Sequence, residues 1–111
     1  MDKAVIENTS TWFAMPIEKQ LCNVGSEVHR AIRYKNKGDR QKSENFCNKA
    51  IDFLVLCQED KKNRNRVEEL EALKEELQDY FLGKNIYNTT DDILIRYYDS
   101  FMWRAYGVGN E

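Results

Sequence analysis

The chain has 111 residues, 41% of them hydrophobic and 32% charged, which is enough for one core and too short for two cores with a linker. Seventeen basic residues against nineteen acidic ones leave a net charge of −2, so a surface that is basic all over, receiving nucleic acid or anionic membrane anywhere, is excluded, while a local basic patch is not. No apolar run approaches the roughly 18 residues of a membrane span, and the polar, acidic start "MDKAVIENTSTWFAMP" lacks the apolar stretch of a secretory signal.

In chain order, residues 1–15 show no sustained periodicity and are expected to form a flexible N-terminal arm, with Trp12 and Phe13 able to pack it back onto the domain. Pro16 suits the first turn of a helix. Ile17, Leu21, Val24, Val28 and Ala31 or Ile32 then recur at three-four spacing, predicting a long first helix that stops near Gly38. A second helix is expected from about Asp39 to Gln58, with Phe46, Ala50, Phe53, Leu54 and Cys57 on its apolar stripe. The polar run "EDKKNRNR" connects it to a third, from Val67 through Leu70, Leu73 and Leu77 to Tyr80 or Phe81, ended by Gly83. "KNIYNTTDD" forms the last loop, with Thr89 or Thr90 as N-cap and Asp91 and Asp92 in the first turn. A fourth helix carries Ile93, Leu94, Tyr97, Phe101 and Ala105, and 107–111 make a flexible tail. The prediction is an all-α fold, an antiparallel up-down-up-down four-helix bundle over residues 16–106, which brings the first and third loops to the same end.

Several chemistries are missing. A carboxylate-bridged metal centre in a bundle needs Glu-x-x-His pairs, but His29 is the only histidine and Ser26 stands three residues before it. Cys22, Cys47 and Cys57 form no CxxC pair and have no second His to complete a zinc set, so reduced thiols in a cytoplasmic protein are expected. Five scattered glycines make no phosphate-binding loop. Ser26 and His29 lie one helical turn apart, yet a Ser-His pair on a regular helix lacks an oxyanion site. No catalytic residue, metal or cofactor is assigned.

Three features remain. Gly25 in mid-helix costs about 1 kcal/mol relative to Ala, which close approach of Phe101 or Trp103 would explain. Glu27 and Arg30, at i and i+3, form either a surface pair or a polar group turned into the bundle towards Asp52, Asp79, Tyr80 or Tyr97. Arg30, Arg33, Lys35, Lys37, Arg40 and Lys42 surround the first turn, with Tyr34 among them and Tyr87 on the loop expected at the same end, while the third helix is acidic. Glu27, Arg30, Arg33, Lys37, Arg40 and Tyr87 therefore form the candidate binding patch. The fourth helix is aromatic almost all round, which makes Tyr98, Phe101 and Trp103 the candidate interface of a homodimer or of a complex with a protein partner.

The segments "GSEVHRA", "NKGD", "AIDFL", "KNRNR", "DYFLGKNIYNTTDD" and "YYDSF" resemble a group of small bacterial and archaeal helical proteins over roughly residues 15 to 102. The resemblance implies a compact, stand-alone helical domain and supplies no activity; His29 and Ile86 depart from the group's pattern. The four-helix plan is also similar to that of HEPN domains, whose nucleases carry an Arg four to six residues before a His. No Arg precedes His29 here, so the likeness implies a non-catalytic member. Two functions follow as expectations: a non-enzymatic interaction protein working through the fourth helix and the basic first turn, or a HEPN-like component binding nucleic acid or nucleotides in a toxin–antitoxin or defence pair.

Overall fold

A computed structural model describes residues 9–107, and they are all-helical with no strand among them. Five α-helices run in order: α1 (Thr9–Ala14), α2 (Ile17–Asn36), α3 (Arg40–Glu59), α4 (Val67–Leu77) and α5 (Asp91–Tyr106). A 3₁₀ segment, Lys61–Arg66, leads into α4, and a π-helical turn, Gln78–Leu82, leads out of it.

Local chemistry sets the boundaries. Gly38, at φ 81°, makes the left-handed turn between α2 and α3, and the Asp39 carboxylate caps α3 by accepting from Lys42 N–H at 3.1 Å. The Thr90 hydroxyl caps α5 by accepting from Ile93 N–H at 3.2 Å, with Asp91 and Asp92 in the positive first turn.

Cross-helix contacts show neighbouring helices running in opposite directions. Ser43 Oγ donates to the Ala31 carbonyl at 2.8 Å, and Lys49 meets Glu27 further along α3 and further back along α2. Likewise α5 descends along α2, from Lys35 with Asp91 (3.0 Å) to His29 with Asp99 (2.8 Å) to the Lys19 ammonium over the Tyr106 ring. Cys47 and Gln58 of α3 reach Leu77 and Glu71 of α4, and Tyr97 of α5 reaches Glu69. Leu21, Val24 and Val28 of α2, Leu54 of α3, Leu77 of α4 and Leu94 of α5 are all at most 1% exposed in the shared interior. At about 1.5–3 kcal/mol for each such side chain, this apolar burial is the principal favourable term. Lys35 and Asn36 both bond Asp91, as does the Tyr80 hydroxyl, so the α2 terminus and the loop before α5 share one end. No helix among the described residues is long and apolar enough to cross a membrane.

One expectation is corrected. Residues 9–14 are not a loose arm: they form α1, with Trp12 buried at 3% exposure and its ring 5.3 Å from that of Phe53. What holds this helix down is a polar network that sequence periodicity does not reveal. Gln20 Nε2 donates to the Trp12 carbonyl (3.0 Å) and to Asp60 Oδ2 (2.9 Å), while Gln20 Oε1 accepts from Asn63 Nδ2 (2.9 Å). Lys62 Nζ binds both the Phe13 carbonyl and Asp60. Within the polar connection "EDKKNRNR", Lys61–Arg66 form a 3₁₀ segment, with Asn63 and the preceding Asp60 buried. The third expected helix does reach Tyr80 and Phe81 and stop at Gly83, with the regular α4 ending at Leu77 and a π-turn carrying the last residues. The expectations for residues 1–8 and 108–111 lie outside the described residues.

Candidate functional site

The α2–α3 hairpin carries its charged residues at matching distances from Gly38: Tyr34 and Lys42 are each four residues from it, Arg30 and Phe46 each eight. In an antiparallel hairpin such positions face each other, so each level pairs one cation with one aromatic ring. The structure shows the result. The Tyr34 and Phe46 rings stack with centroids 5.5 Å apart and planes 9° from parallel. Lys37 and Lys42 ammoniums lie 5.4 and 5.2 Å from the Tyr34 ring centre. Arg30 and Lys49 lie 6.0 and 5.6 Å from that of Phe46. Both rings are half-buried, and Arg30, Lys37 and Lys42 are exposed.

Below the rings sits Glu27. It is 5% exposed, accepts from Arg30 Nη1 at 2.6 Å and has Lys49 Nζ at 3.5 Å. Of the two openings left for this pair, a polar group turned inward is the one realised at the carboxylate, with Lys49 as its cross-helix partner; the Arg30 side chain stays 45% exposed. One buried carboxylate thus holds two cations over the Phe46 ring. Arg40 is tied to Glu44 at 2.8 Å and Lys35 to Asp91. Arg33, Lys37 and Lys42 have no carboxylate within ion-pair distance among the described residues, so three positive charges on this face are uncompensated.

The candidate patch is therefore brought together in part. Glu27, Arg30, Arg33, Lys37 and Arg40 belong to the hairpin, but Tyr87 does not join them. It is exposed beside α4 and lines a cleft of about 420 Å³ with Ala72, Leu73, Glu75 and Glu76. Its loop is held there because the Asp79 carboxylate accepts from the Ile86 and Tyr87 N–H groups at 2.8 and 3.0 Å. Lys49 and Phe46 are members that sequence reasoning missed: Phe46 falls on the apolar stripe of α3, the mirror spacing about Gly38 sets it opposite Arg30, and its stacking on Tyr34, one helical turn away, shows only in the structure.

The candidate interface is also corrected. Tyr98 and Phe101 are 1% and 2% exposed and belong to the core; Trp103 is 53% exposed. Gly25 explains the burial of Tyr98. A Cβ at Gly25 would stand 2.8 Å from Tyr98 Cβ, so the missing side chain lets α5 approach α2 through Tyr98, and neither Phe101 nor Trp103 fills that place.

The Ser26–His29 region has little nucleophilic character. Ser26 Oγ donates to the Cys22 carbonyl at 3.2 Å, and His29 Nε2 is hydrogen-bonded to Asp99 Oδ1 at 2.8 Å, so each side chain is engaged elsewhere. Burial and the nearby Asp99 and Glu18 carboxylates push the Cys22 thiol above its ordinary pKa, the direction opposite to activation. The cleft beside them is about 50 Å³, room for a water or two rather than a substrate. No group of three or more His, Cys, Asp or Glu side chains among the described residues is placed to hold a metal ion. Set against protein families, curated proteins and solved structures, the chain finds no match in any of the three.

Proposed function

We propose that the protein is a non-enzymatic helical interaction module, an antiparallel four-helix bundle that captures an anionic partner on the outer face of its α2–α3 hairpin. The observation that carries this reading is the stacked Tyr34–Phe46 pair bordered by four cations, with Arg33, Lys37 and Lys42 uncompensated nearby. Charge concentrated on one face of a chain that is acidic overall orients encounter with a polyanion and keeps the rest of the surface from competing. Heparin supplies a generic polyanion for the test. The wild type is retained on immobilised heparin at about 50 mM salt and released as salt rises; Lys37→Glu with Lys42→Glu, both at exposed positions, elutes without retention while its circular dichroism is unchanged. A wild type that flows through at low salt overturns the reading.

A second surface supports self-association. Met102, Trp103 and Tyr106 are 41%, 53% and 54% exposed on the last turns of α5, an apolar cluster of the kind that marks protein contacts. Sedimentation of Trp103→Ser against wild type tests it: a concentration-dependent dimer that the variant loses supports this contact, and a wild type that stays monomeric removes it.

A further inference from the structure

We propose that the anionic partner of the α2–α3 face is a single-stranded nucleic acid, with bases stacking on the Tyr34–Phe46 platform and phosphates meeting Arg33, Lys37 and Lys42. The proposal rests on the reading above and adds the chemistry of the partner.

The argument turns on what the rings require. An acidic polypeptide would satisfy the ammonium and guanidinium groups and leave the aromatic surface without a partner. A duplex offers phosphates but keeps its bases stacked against each other inside. A single strand brings a phosphate and an unstacked π-face in each repeat, and both halves of that unit have a counterpart here. Near-parallel rings, 9° apart, present the geometry that a stack of bases continues. The cations over Tyr34 are lysines on flexible stems, at 5.4 and 5.2 Å from the ring centre. An exposed cation–π contact is weak. When Lys37 or Lys42 swings to a phosphate, the ring surface it leaves becomes available to a base, so one movement serves both contacts. The cations at Phe46 are held differently, since Arg30 and Lys49 share buried Glu27. They fix the inner end of the platform while the lysines at the outer end exchange. Stacking without hydrogen-bond readout is indifferent to base identity, so length and strandedness govern binding more than sequence.

The test is fluorescence anisotropy with a labelled oligouridylate of about 15 nucleotides, within the range of single-strand site sizes. A duplex of equal length and polyglutamate serve as unlabelled competitors. Three phosphate contacts predict a log–log salt slope of about −2 for a single strand. Tyr34→Leu and Phe46→Leu, which keep apolar volume but remove the ring, are expected to weaken binding about tenfold each. Tyr34→Phe, which keeps the ring, binds as the wild type does, and this conservative variant separates loss of stacking from loss of fold. Polyglutamate that competes as well as the oligouridylate, with leucine variants that bind undiminished, overturns the nucleic-acid assignment and leaves an acidic protein as the partner of the same face. Oligouridylate that fails to bind while heparin is still retained also overturns it, and the polyanion reading stands. Absence of binding to every polyanion removes both.

Discussion

Gly25→Ala tests the closest approach in the fold. On an isolated helix this substitution stabilises by about 1 kcal/mol, because alanine loses less backbone freedom than glycine. Here the new methyl group would lie 2.8 Å from Tyr98 Cβ, where ordinary contact begins at 3.4 Å. Tyr98 cannot turn its Cβ aside, since that atom is fixed to the backbone of α5, so the two helices must separate. Separation loosens the contacts of Tyr98, 1% exposed, and of Val24 and Val28 beside it. Overpacking a well-filled core costs about 1–3 kcal/mol, which outweighs the propensity gain, and the net expectation is a loss of about 1–2 kcal/mol. For a domain of this size that lowers Tm by about 5–10 °C. Thermal and urea unfolding followed by circular dichroism measure it, with Ser26→Ala, one residue along on the exposed side, as the control. An alanine at 25 that raises Tm as the control does would refute the close approach, and with it the account of why α5 is buried through Tyr98.

Other expectations follow from buried polar groups. Tyr98 Oη is buried with no hydrogen-bond partner among the described residues, and burial pushes its phenol well above the ordinary tyrosine pKa; Tyr98→Phe removes that hydroxyl and should be neutral to about 1 kcal/mol stabilising, so a clear loss in urea unfolding would mean that the hydroxyl has a partner. Burial alone would raise the Asp60 carboxyl, but the ammonium of Lys62 and the amide of Gln20 outweigh it and hold the group below its ordinary pKa. A depressed folded-state pKa contributes stability that is complete above the unfolded value near 3.8 and is lost as pH falls through the folded value. Asp60→Asn should therefore be less stable at neutral pH by about 1–3 kcal/mol and lose less on acidification below about pH 4; curves that run parallel to wild type across that range contradict the assignment. Burial pushes the Cys47 and Cys57 thiols up to about 12, so a disulfide exchange reagent at about pH 8 should modify half-buried Cys22 in the native protein and the other two only in denaturant. Rapid titration of all three without denaturant would contradict the burial.

How much of this was readable from the chain depends on the range of the forces involved. The stripe of Leu21, Val24 and Val28 follows from helical spacing alone, and those residues are buried. In the last helix two stripes compete, one through Ile93 and Tyr97 and one through Leu94, Tyr98 and Phe101, with similar apolar content. Local periodicity cannot choose between them. The choice is made by Gly25, on another helix and more than seventy residues away, which makes room for Tyr98 and leaves Ile93 half exposed. Gln20 illustrates the converse. It sits between Ile17 and Val24 on the apolar face of α2, and its polarity there implies a partner, but Asp60 and Asn63 are forty or more positions further on. The charge cluster at the first turn was legible because it is local. Tyr87 was misplaced because the loop's direction depends on Asp79, whose two oxygens are spent on backbone N–H groups.

The position of the basic face relative to the core bears on its purpose. The α2–α3 contact is already secured by fully buried Leu21, Leu54, Cys47 and Ala50, and by the Ser43 bond to the Ala31 carbonyl. Exposed cation–π contacts contribute about 0.5–1 kcal/mol apiece, and exposed ion pairs less. A hairpin stabilised for its own sake would sit better with carboxylates opposite these lysines, as Glu44 sits beside Arg40 on the same hairpin and Glu71 beside Lys74 on α4. Instead the cations at Tyr34 face a ring, and exposed Arg33 on the same helix has no carboxylate within ion-pair distance among the described residues. Like charges gathered around half-buried aromatic surface repel one another, and the fold gains little in return. On the proposed reading, an external anion that neutralises the charge and covers the rings is what makes that arrangement favourable.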